Sequence, residues 1–172
     1  PNDTSDKALS LAPNGSATAH LGFYGNGYTD VTDWWTITTP SDGRLVVETT
    51  AAMPDSNIAI MLYLFDNGGT NQIKGYEGGW GRHTTLIYDN LAAGTYQVKA
   101  DRWTHFGSYQ IKSTFTPNHY YSEREPNDTR ETAVQTSINT GVTGHLSYYG
   151  NGKFDANDYY SFTVPSGWDS LF

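Results

Sequence analysis

Two acidic constellations recur in the chain. Asn2-Asp3 is followed by Asp30 and Asp33, and Asn127-Asp128 is followed at the same spacing by Asp155 and Asp158. These side chains offer hard oxygen donors, and Asp residues three apart around a turn can face one ion. Glycine-rich turns at 24–27 and 149–152 can add backbone carbonyls. Such a donor set suits calcium, which takes six to eight oxygens at about 2.3–2.6 Å in flexible geometry. The competing reading is that Asn-Asp and Asp-x-x-Asp cap turns by hydrogen-bonding the backbone. Both halves recur together, which favours the metal. Carboxylates gathered this closely repel one another unless a divalent cation offsets the charge.

A second group is aromatic. Tyr76, Trp80 and Arg82, with Arg102, Trp103 and His105, lie in polar or glycine-rich surroundings beside His83 and Phe106. Exposed rings flanked by charged groups can stack on sugar faces or on a protein ligand. They can equally pack as lids over the ends of a sandwich. Trp34 and Trp35 are adjacent on a β-rich run, so alternation predicts one inside and one outside. Catalytic signatures are missing: there is no Gly-x-Ser-x-Gly elbow, His-Glu-x-x-His helix, phosphate loop or cysteine nucleophile. The clustered carboxylates are better assigned to metal than to glycoside hydrolysis. The expectation is a protein that is not an enzyme.

Bulk properties bound the partners and the fold. A net charge of −8 disfavours nucleic acid, whose phosphates are met by Lys and Arg. Zero cysteines exclude disulfides and thiolate zinc sites. No apolar run is long enough to span a bilayer as a helix. Aromatics at 15%, 18 glycines and a lack of helical periodicity point to many short strands.

Self-comparison supplies the organisation. Residues 1–47 align without a gap on 126–172, an offset of 125, with about 18 of 47 pairs identical. The repeat divides the chain into a complete module at 1–118, a linker at 119–125 and the N-terminal part of a second module at 126–172. β-rich runs fall at 20–24, 34–39, 44–50, 58–65, 84–88, 95–100 and 108–115, and 58–65 reads as buried on both faces. Turn signals such as Asn26-Gly27, Asp42-Gly43 and Asn67-Gly68-Gly69 separate them. One helical turn is expected within 4–10. The predicted fold is all-β, an antiparallel β-sandwich of jelly-roll type. The partial second module leaves strand edges at about 142–164 that invite exchange or self-association with neighbouring modules.

The ordered set from Pro1-Asn-Asp-Thr through His20-Leu21, Asp-x-x-Asp-Trp-Trp, Pro40-Ser-Asp-Gly-Arg-Leu, Leu62-Tyr-Leu-Phe-Asp, Leu91-Ala-Ala-Gly-Thr-Tyr and Gly107-Ser-Tyr-Gln-Ile resembles the bacterial pre-peptidase C-terminal domain. Collagen-binding domains of bacterial collagenases belong to the same group. The resemblance implies a jelly-roll-like sandwich attached to secreted enzymes or adhesins, often with calcium near the N-terminal linker. It also implies a ligand set of Glu-x-Glu-x-Asn-Asp plus a later Asp-x-x-Asp. The second copy matches in full, with Glu123, Glu125, Asn127, Asp128, Asp155 and Asp158. The first retains Asn2, Asp3, Asp30 and Asp33 without the glutamates. The expected function is a calcium-stabilised, secreted or cell-surface adhesion module that binds polysaccharide or matrix-like protein. The alternative is a repeat of an extracellular filament.

Overall fold

The computed structural model describes residues 2–52, 58–77, 83–118 and 123–167. Up to residue 118 the chain forms β1 (Leu9–Ser10), β2 (Ser16–Leu21), β3 (Tyr24–Gly25), β4 (Tyr28–Thr29), β5 (Thr32–Thr39), β6 (Gly43–Ala51), β7 (Ala59–Phe65), β8 (Gln72–Glu77), β9 (His83–Leu91), β10 (Gly94–Thr104) and β11 (Gly107–Pro117). Beyond it come β12 (Val134–Gln135), β13 (Tyr149–Gly150), β14 (Lys153–Phe154) and β15 (Tyr160–Ser161). One sheet runs β1-β5-β10-β7-β8 and the other β14-β13-β9-β6-β11-β2. The chain crosses between them from β5 to β6, β6 to β7, β8 to β9, β9 to β10 and β10 to β11. The fold is a β-sandwich, antiparallel except where β1 meets β5, β12 meets β15 and β13 meets β9.

Alternation builds the core. Ile60, Leu62 and Leu64 of β7 face Leu45 and Val47 of β6, Leu86 of β9, Val98 of β10 and Ile111 of β11 in one buried cluster. Met61, Tyr63 and Phe65 are half-buried, so β7 is sealed on one face and partly covered on the other. Both tryptophans are buried, against the expectation of one inside and one outside. Trp35 enters the core. Trp34 points outward but is covered by Phe65, 5.1 Å between ring centroids, and by the Lys99 ammonium 6.0 Å away. Aromatic stacking and the lysine stem keep water from an outward ring.

The turn chemistry is local. Asn26 and Gly27 have φ of 51° and 83°, and Asn151 and Gly152 have 51° and 75°. Two successive positive φ values make the tight hairpin turn for which Asn-Gly is preferred. At Gly43 a Cβ would sit 2.4 Å from the Thr116 carbonyl oxygen, so β6 and β11 approach there only with glycine. The expected helical turn is a short 3-10 helix at Ser5–Lys7, and its counterpart is Arg130–Thr132. The short strands β1 and β8 were not foreseen. Among the described residues, no helix is long and apolar enough to cross a membrane.

Local structure repeats with the sequence. Leu9↔Trp35 and Ser10↔Thr36 recur as Val134↔Tyr160 and Gln135↔Ser161. Tyr24↔Thr29 and Gly25↔Tyr28 recur as Tyr149↔Phe154 and Gly150↔Lys153. The Asn2 carbonyl accepts from Trp34 N at 2.8 Å, and the Asn127 carbonyl from Tyr159 N at 3.0 Å. The two hairpins differ in surroundings. β13 lies beside β9, with Tyr149 opposite Leu91, whereas β3–β4 forms a separate two-stranded sheet.

Candidate functional site

The second acidic set is assembled by three short stretches. Residues 123–128 precede the 3-10 turn, Asp155 ends the β13–β14 hairpin, and Asp158 precedes β15. Ser147 N donates to the Asp155 carbonyl at 3.1 Å and Asp155 N to the Tyr148 carbonyl at 2.8 Å, which closes the base of the hairpin. The Tyr159 N–H on the Asn127 carbonyl ties the residue before β15 to the stretch 123–128. Carboxylate oxygens of Glu123, Glu125 and Asp158 thereby come within 4.8 Å of one another, as do those of Glu125, Asp128 and Asp155. Glu125 belongs to both groups.

What these oxygens lack is as telling as their spacing. Glu125 Oε1, Asn127 Oδ1, Asp155 Oδ2 and Asp158 Oδ1 are buried and accept no hydrogen bond. Asn127 is fully buried. Its Nδ2 donates to Glu123 Oε2 at 3.3 Å, while its side-chain oxygen has no donor. An unsatisfied buried acceptor costs about 1–3 kcal/mol, and more when charged, so four together call for a shared positive partner. Burial, with the charges of Asp155, Glu123 and Asp158 adding to it, pushes the Glu125 carboxyl up to about 7 against an opposing hydrogen bond from Asn127 N. Burial also raises Asp128 and Asp158. The donor set is all oxygen and mostly anionic, as calcium requires.

Two supports were invisible in the sequence. The Tyr160 hydroxyl and the His145 backbone N–H both donate to Glu123, and the Tyr160 hydroxyl also lies 3.4 Å from Asp158 Oδ2. The bond to Glu123, ahead of burial, raises the Tyr160 phenol. The repeat equates Tyr160 with the core residue Trp35, so nothing in the repeat marks it for polar support.

The first set is arranged differently. Asn2 is buried, and its Nδ2 donates to the Trp34 carbonyl at 3.0 Å. Asp33 is buried and accepts from the Tyr109 hydroxyl at 2.7 Å, which itself accepts from Trp35 Nε1 at 3.1 Å. Burial lifts Asp33 to about 6, despite that hydrogen bond, and Asp30 and Asp3 add repulsion. Burial and Asp3 raise Asp30, whose Oδ1 is buried without a partner. Among the described residues, the groups of three carboxylates tight enough for one ion both belong to the second set.

The two sets occupy opposite ends of the sandwich. Asp33 sits where β5 starts and β10 ends, since Ala100 pairs with Asp33. The other end is formed by Gly43, Leu91 and Gly94, where the chain also leaves β11 at Pro117.

Of the aromatic set, Arg102, Trp103 and His105 gather at the Asp33 end. Trp103 falls where the β10–β7 register slips between Arg102 and Thr104, a bulge that leaves its ring 52% exposed. Arg102 Nη1 donates to the His105 carbonyl at 3.1 Å and holds that residue at a φ of 56°. Trp80, Arg82 and the Tyr76 side chain lie outside the described residues. The Tyr76 backbone belongs to β8, with β7 between it and β10.

No family model and no curated protein matches the chain. Among solved structures, it is similar to the pre-peptidase C-terminal domain of a collagenase from Bacillus anthracis, with 18% identity over 62% of this chain and 94% of that one, at a TM-score of 0.49. It is also similar to PliG of Aeromonas hydrophila, a periplasmic inhibitor of g-type lysozyme, with 13% identity over 63% and 97% at 0.41. A third is a family 35 carbohydrate binding module from Clostridium thermocellum, with 16% identity over 56% and 90% at 0.32.

Proposed function

We propose that the chain is a non-catalytic, calcium-stabilised binding module from a tandem array in a secreted or cell-surface protein. Residues 1–118 are one module, 119–125 a linker and 126–172 the start of a homologous one. Calcium is held by Glu123, Glu125, Asn127, Asp128, Asp155 and Asp158 and stiffens the linker. The observation that carries this reading is the set of four buried, unpartnered acceptor oxygens on Glu125, Asn127, Asp155 and Asp158. The bound ion supplies the positive charge that lets these carboxylates ionise together. The first set, Asn2, Asp3, Asp30 and Asp33, is a weaker site, because among the described residues it brings no three carboxylates together.

Titration calorimetry of chelated protein with Ca²⁺ tests the metal. One strong binding event, lost in Asp155→Asn, is expected; heats no larger than those of dilution would refute it. Tyr76, Trp80, Arg82, Arg102, Trp103 and His105 attach the module to polysaccharide or matrix protein. An array of glycans and collagen peptides, repeated with Trp80→Ala and Trp103→Ala, reads this directly.

A second reading, a repeat of an extracellular filament, is favoured by one specific observation. Tyr149 of the second copy completes the hydrophobic core of the first.

A further inference from the structure

The chain carries two copies of one hairpin and, among the described residues, only one is docked on a sheet. In the second copy, Ala92 N donates to the Tyr149 carbonyl at 2.9 Å, which adds β13 in parallel to the end of β9. The Tyr149 ring is only 4% exposed and packs against Tyr96 at 6.5 Å and Phe154 at 4.9 Å. The Tyr88 hydroxyl donates to the Ser147 carbonyl at 3.0 Å, and the Tyr148 hydroxyl to Asp42 at 3.1 Å. Gly150 lies so close that its Cβ would be 3.2 Å from that of Ala92.

The first copy repeats the hairpin without the contact. Its pairing and its Asn-Gly turn are the same, yet Phe23, Tyr24 and Tyr28 are 66%, 71% and 78% exposed. Three exposed aromatics grouped on one hairpin form an association surface. We infer that the β3–β4 hairpin docks on the β9 edge of a second copy of this sandwich, one whose edge is not already filled, with Tyr24 entering its core as Tyr149 does here.

The position of the hairpin fits that role. It lies at the Asp33 end of the sandwich, whereas the receiving edge at Leu91 and Gly43 is at the opposite end. One surface therefore meets a different one, and repetition gives an open head-to-tail row rather than a closed dimer. Within an intact chain the tethered second hairpin outcompetes an incoming one through its effective concentration. The first hairpin thus adds only to a free edge. Phe23 in place of Tyr148 drops the bond to Asp42, and Thr29 in place of Phe154 narrows the apolar side, so its docking is weaker.

The test uses the full chain with its edge opened by Tyr149→Asp, which puts a charge where the ring was buried. Sedimentation velocity should show oligomers that grow with concentration, and adding Tyr24→Asp should return the monomer. A folded Tyr149→Asp chain that stays monomeric at millimolar concentration overturns the inference, as do oligomers that survive Tyr24→Asp. Should the opened chain not fold, a transplant decides. Ser147→Gly, Tyr148→Phe, Lys153→Tyr and Phe154→Thr place the first hairpin's sequence in the docked position. Gly150→Cys with Ala92→Cys then reports docking as an intramolecular disulfide, for which the Cβ spacing is nearly suitable. A cross-link yield within twofold of the untransplanted pair is expected. An order-of-magnitude loss overturns the inference. Carried out in chelator, these readouts report docking without the metal, so the two proposals fail separately.

Discussion

Glu125 is the residue through which pH reaches the second acidic set. Its carboxyl titrates near 7 in the folded chain and near its ordinary 4.5 when unfolded. Between those values the native state holds a proton that the unfolded state has released, so rising pH destabilises the metal-free protein. Asp33 acts with the same sign between 3.8 and about 6. The melting temperature of chelated protein should therefore fall from pH 4.5 to 7, and Glu125→Gln should flatten the upper part of that slope. Saturating Ca²⁺ should cancel the fall, because the cation takes the place of the proton. At 100 times its Kd the ion should add about 2.7 kcal/mol, or roughly 5–10 °C in melting temperature, and Asp155→Asn should abolish that shift. Much of this site was legible beforehand, because Asn127, Asp128, Asp155 and Asp158 are local motifs repeated at a fixed offset. The hydroxyls that support or occupy the carboxylates were not. Tyr160 meets Glu123 across 37 residues and Tyr109 meets Asp33 across 76, and no local pattern marks either pair.

Strands were legible wherever alternation was clean. The run 58–65 became β7, and 95–100 is the middle of β10. β8 has no clean alternation to mark it, because Gln72-Ile-Lys-Gly-Tyr-Glu mixes Ile73 with charged residues and an internal glycine. Trp34 was misjudged because alternation reports direction, not cover, and its cover comes from β7 and β10. Between the sheets, Trp35, Tyr109 and Asp33 form a buried chain of hydrogen bonds. Tyr109→Phe keeps the ring but strands the indole N–H and a carboxylate oxygen. It should cost about 1–3 kcal/mol in urea unfolding, with an unchanged m-value. Leu62→Ala, at the fully buried centre of β7, should cost about 2–5 kcal/mol by the same measure, since it removes apolar contacts and leaves a cavity.

For the whole molecule, repetition in the sequence announced two related segments, 1–47 and 126–172, but not that the second would complete the core built by the strands before it. The core of the sandwich holds Tyr149 beside Tyr96 and Leu91, so a residue more than 30 positions beyond β11 is part of the packing of strands that precede it. The stretch 123–167 has only short two-residue strands of its own. Its order is therefore thermodynamically linked to the sandwich, in the way adjacent units of a repeat protein share an interface energy. Calorimetry of the full chain should give one transition whose calorimetric and van't Hoff enthalpies agree. Tyr149→Ala should divide it, with tyrosine hydroxyl-sensitive probes near Glu123 melting before the β7 and β10 amides exchange. A row of such units would then transmit unfolding, and resistance to it, from each neighbour to the next.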